Sequence, residues 1–107
     1  MVPIIVGVTG HRDLREEDIS DLKSRVEAIF QEIRTKYPNT PFKVLSPLAE
    51  GADRLVANIG LEMGASLIVP LPLPRSEYEK DFETVESKKG FADLLAQAHT
   101  EDRHELP

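Results

Sequence analysis

Three short stretches hold residues whose types and spacing suit chemistry on an anion. The first is Thr9-Gly10-His11-Arg12, which follows the apolar run Ile4-Ile5-Val6-Gly7-Val8 without a break. A glycine lets backbone N–H groups approach an anion closely, and a threonine hydroxyl with an arginine fork are natural phosphate partners. The plainer reading is that Gly10 only makes a tight turn and Arg12 pairs with an acid of the following helix. His11 in such a turn is more often hydrogen-bonded scaffolding than a general base.

The second stretch, Ser46-Pro47-Leu48-Ala49-Glu50-Gly51-Ala52-Asp53-Arg54, opens a helix. Gly51 frees the backbone for close approach, and helix-start amides point toward an anion placed there. Glu50 either accepts from ribose or base hydroxyls or helps to cap the helix. For Asp53 capping is the expected role. In the third stretch, Leu71 to Phe82, Arg75 can reach a phosphate, and Tyr78 either stacks on a base or belongs to an ordinary helix. The acidic run Glu77, Glu79, Asp81 and Glu83 reads as a solvated face; without histidine at ligand spacing, no metal is expected. Neither the glycine fingerprint of dinucleotide sites nor the lysine-bearing phosphate loop is present, which disfavours a plain dehydrogenase or a nucleoside-triphosphate hydrolase.

The elements that position these turns follow from periodicity. Apolar residues run continuously through Ile4 to Val8, as expected for a strand covered on both faces of a parallel sheet. Ile19, Leu22, Val26, Ile29, Phe30 and Ile33 recur at helical spacing. Glu16, Glu17 and Asp18 lead that segment and Arg34 and Lys36 close it, predicting a helix over 16–36 that stops at Pro38. Phe42 to Ser46 is a second strand. Residues 53–63 form a second helix, ended by Gly64; Gly60 within it suggests close packing on the sheet. Ser66 to Leu71 is a third strand, which Pro70, Pro72 and Pro74 should strip of ladder partners. Residues 75–89 read as helix in two pieces, punctuated by Gly90, with a further helical face at Phe91, Leu94, Leu95 and Ala98. Thr100 to Pro107 reads as polar, without a closing element.

Strands alternating with helices predict right-handed crossovers and a parallel sheet whose strand ends form a ligand crevice. The fold class is α/β: a three-layer, Rossmann-like parallel sheet flanked by helices. The 107 residues make a single nucleotide-binding unit, expected to be the N-terminal part of a larger one or to have its open edge covered by a partner chain. The net charge of −6 argues against broad nucleic-acid binding, which needs a cationic face. With no cysteine there is neither a disulfide framework nor a thiolate metal site. No run has the length of a membrane span, and a strand begins immediately after Met1-Val2-Pro3. Both features lead to the expectation of a cytoplasmic protein.

Val6 to Arg12, Leu45 to Arg54, Pro70 to Arg75 and Tyr78-Glu79-Lys80-Asp81-Phe82 together resemble the SLOG superfamily over about residues 3–107. This superfamily comprises Rossmann-like domains related to DNA-processing protein A and the Lonely Guy (lysine decarboxylase-like) proteins. The resemblance implies a doubly wound sheet and a nucleotide or nucleotide-derived ligand. The ligand positions it carries over are Thr9, Gly10, His11, Arg12, Ser46, Glu50, Gly51 and Arg75. Lonely Guy enzymes are nucleoside-monophosphate phosphoribohydrolases with a Pro-Gly-Gly-x-Gly-Thr motif and a partnering glutamate, which this chain lacks. The resemblance therefore supports a binding or sensor domain more than an enzyme, with the nucleotide as ligand rather than cofactor and a homo-oligomer expected. The alternatives are an N-glycoside hydrolase using Glu50, a non-catalytic oligomerisation module and, more weakly, DNA binding.

Overall fold

A computed structural model describes residues 2–7 and 14–105. The chain is α/β, a four-stranded parallel sheet flanked by helices in a Rossmann-like arrangement. Strand β1 (Ile4–Gly7) leads to α1 (Glu16–Lys36), β2 (Phe42–Leu45), α2 (Ala52–Glu62) and β3 (Ser66–Leu71). A single turn, α3 (Arg75–Tyr78), continues into a 3₁₀ turn at Glu79–Asp81; α4 (Val85–Gln97) and β4 (Arg103–Glu105) follow. The sheet order is β1-β2-β3-β4, with Val6 beside Val44, Leu45 beside Ile68 and Pro70 beside His104.

Helix α1 has the predicted bounds. Its acidic first turn and basic last turn oppose the helix dipole, and the Tyr37 N–H closes it by donating to the Ile33 carbonyl. In α2 the predicted roles of both glycines hold. Gly64 follows the helix with φ of 88°, the left-handed geometry that ends helices. A Cβ on Gly60 would lie 2.7 Å from Val44 Cγ2, so the bare glycine is what lets α2 sit down on β2. Beneath this contact, Val44, Leu67, Val69 and Leu71 alternate onto one buried sheet face with Phe30 and Phe42. Each such side chain contributes about 1.5–3 kcal/mol of burial.

Four expectations need correction. Strand β1 is not covered on both faces: Ile4 and Val6 pack against the core, while Ile5, 51% exposed, and Gly7 lie on the opposite face, which is open. Pro70 does not strip β3 of partners. The β2 ladder ends at Ile68, whose carbonyl accepts from the Ser46 N–H, so Pro70 lies beyond the last β2 pair and its missing donor breaks nothing. Gly90 does not interrupt the helix but lies inside α4, where a Cβ would sit 3.4 Å from Arg54 Nη1. Finally, the polar tail supplies the edge strand β4, which hydrogen-bond pairing rather than an apolar pattern creates. Arg103 fastens this tail by donating from Nε and Nη2 to the Ala98 carbonyl at 3.1 and 2.9 Å.

Candidate functional site at the carboxyl ends of β2 and β3

Strands β2 and β3 are parallel neighbours, so the turns that leave them emerge at the same edge of the sheet. The turn after β2 is built around Ser46, which is fully buried. Its hydroxyl accepts from the Leu48 N–H at 3.1 Å and donates to the Asp53 carbonyl at 3.3 Å, tying both limbs of the turn together. Leu48 adopts a left-handed φ of 60° and is itself fully buried, plugging the turn into the core. The Asp53 carboxylate reaches back to accept the Ala49 N–H at 3.3 Å, tying the loop to the first turn of α2. The N-cap position itself is taken by Gly51, with φ of 84° and no side chain to offer. Among the described residues, the start of α2 therefore receives no side-chain cap from that position.

Behind this turn lies a cluster that the sequence did not single out. Arg54 Nε donates to the Leu48 carbonyl at 3.0 Å, and Nη1 donates to the Ser87 carbonyl and hydroxyl at 2.8 and 3.0 Å. Its guanidinium lies 4.5 Å from the ring centroid of Phe82, a separation at which a cation and an aromatic face attract. The Ser87 hydroxyl in turn donates to Glu50 Oε2. Helix α4 thus clamps the β2–α2 turn through Ser87, and Gly90 leaves room for the guanidinium. Arg54 was legible only as the last letter of a helix-opening motif. Ser87 carried no signal, because its partners lie 33 and 37 residues away.

The turn after β3 is organised differently. Prolines 70, 72 and 74 lead to Arg75 at the head of α3. Arg75 is exposed; its Nε donates to Glu79 Oε1 at 2.8 Å and its guanidinium lies 5.9 Å from the Phe91 ring. Tyr78 is not displayed for stacking. It is 6% exposed, and its ring meets Phe82 and Phe91 edge-on at 5.2 and 5.7 Å. Phe82 and Phe91 are 5.1 Å apart, so one aromatic cluster carries Arg54 on Phe82 and Arg75 near Phe91.

The structure thus places Ser46, Glu50, Gly51 and Arg75 at one sheet edge, with Ser46 buried as turn scaffolding. Thr9, Gly10, His11 and Arg12 lie outside the described residues. No group of three or more potential metal ligands occurs among the described residues, and no described helix is long and apolar enough to cross a membrane. Comparison of the chain with protein-family models, with curated proteins and with solved structures finds no match.

Proposed function

We propose that this chain is a cytoplasmic binding or sensor domain for a nucleotide or nucleotide-derived ligand, with the phosphate held at the strand-to-helix turns. One observation carries the reading. Gly51, left-handed at the start of α2, and Arg75, at the head of α3, leave adjacent parallel strands at the same edge. Helix-start amides and an exposed guanidinium both suit an anion, and both follow the carboxyl ends of the strands, the end of a parallel sheet at which α/β proteins take their ligands. The resemblance of Thr9 to Arg12 to a phosphate-contacting turn adds a second arginine to this reading.

Glu50 supports binding over hydrolysis. Its carboxylate is engaged by Ser87 within a packed cluster, which suits a positioning role more than activation of a water. The test is a thermal-shift panel of nucleoside mono-, di- and triphosphates, followed by calorimetry on the best ligand. Arg12→Ala is expected to weaken that ligand by about 1.5–3 kcal/mol, the scale of a charge-assisted hydrogen bond. No release of free base is expected from nucleoside monophosphates. Unchanged affinity would remove Arg12 from the site, and base release would move the reading to a hydrolase.

A further inference from the structure

Beside the two turns, a slot of about 350 Å³ is lined by Pro47, Pro70, Leu71, Pro72, Tyr78 and His104. Its volume falls within the range of small-molecule sites, roughly 300–1,000 Å³, and its mostly apolar wall matches their usual lining. Three of these six lining residues are prolines, whose restricted backbone holds their carbon faces in place. Of the lining residues, Leu71 and Tyr78 are buried while Pro72 and His104 are exposed, so the slot is open to solvent. The strand register sets His104 directly beside Pro70, so the β4 edge supplies a polar ring at the rim.

We infer that this slot receives the planar base of the nucleotide, with the ring faces against the prolines and the ring edge toward His104 and solvent. The inference rests on the proposed nucleotide reading and adds to it where the base lies. The walls are continuous with both proposed phosphate turns: Pro47 and Gly51 belong to one loop, and Pro72 leads through Pro74 to Arg75. A ligand with an anionic end at those turns and a flat, weakly hydrated ring fits this combination of walls. A sugar phosphate would leave the apolar slot unused. Strand β4, held by its pairing with β3, contributes His104 to the lining.

The experiment is side-chain-resolved carbon–proton NMR on the whole chain, titrated separately with adenosine 5′-monophosphate and ribose 5-phosphate. Adenosine 5′-monophosphate should shift the side-chain signals of His104, Pro70 and Pro72 by ring current, together with signals around Gly51 and Arg75. Ribose 5-phosphate should shift only the latter group. Movement around Gly51 and Arg75 with both ligands, while His104 and the prolines stay fixed, would overturn the slot assignment and leave the phosphate reading standing. Equal movement of the slot signals with ribose 5-phosphate would also overturn it, since no base would then be needed. No movement of any signal with either ligand would overturn both.

Discussion

The turns after β2 and β3 do the same job by opposite means. The first is fixed by hydrogen bonds among buried groups: Ser46, Asp53 and Arg54 hold its amides and carbonyls, and Leu48 is driven into the core at a left-handed φ. The second makes little use of buried polar groups. Pro72 and Leu73 are exposed, and the path to Arg75 is set by the restricted φ of its prolines. One turn is ordered by contacts made in the folded state, the other largely by conformations removed from the unfolded chain. Substitutions in the first should therefore be costly and those in the second mild.

The largest effect is expected at Leu48. Leu48→Ala empties a fully buried position and should lower unfolding stability by about 2–5 kcal/mol, measured by urea denaturation. Gly60→Ala follows: its new methyl meets Val44 Cγ2, and overpacking of this kind costs about 1–3 kcal/mol, offset in part by better helix propensity. Ser46→Ala leaves the buried Leu48 N–H without its acceptor and should cost a similar ~1–3 kcal/mol. The smallest effect is expected at Pro74, the residue before α3. Pro74→Ala should cost only about 0.4–1 kcal/mol, through the gain in unfolded-chain entropy. If Pro74→Ala proved as damaging as Ser46→Ala in the same denaturation series, the contrast between the two turns would disappear.

Much of the scaffold was legible in the sequence because it rests on local rules. The spacing from Ile19 to Ile33 with acids before and bases after outlined α1, and Gly60 and Gly64 gave the packing and the end of α2. The misreadings came from non-local effects. Pro70 is harmless only because β2 has already ended beside it, and β4 exists only because an edge was there to pair with. Gly90 looks like a helix break until Arg54 is seen to occupy the space beside it. At the candidate site, Gly51 and Arg75 were recognisable because strand-to-helix turns have a fixed place in a parallel sheet. The Glu50–Ser87–Arg54 cluster was not, since helix α4 brings Ser87 to the turn from far along the chain.

The central claim is that the sheet edge shared by Gly51 and Arg75 binds a phosphate. Isothermal titration of adenosine 5′-monophosphate into the intact protein and into Arg75→Ala tests it most directly, with Glu79→Gln as the control for the ion pair within α3. Measurable binding to the intact protein and to Glu79→Gln, weakened by about 1.5–3 kcal/mol in Arg75→Ala, is the predicted result. Equal affinity in the intact protein and Arg75→Ala, or no heat of binding to the intact protein, would contradict it.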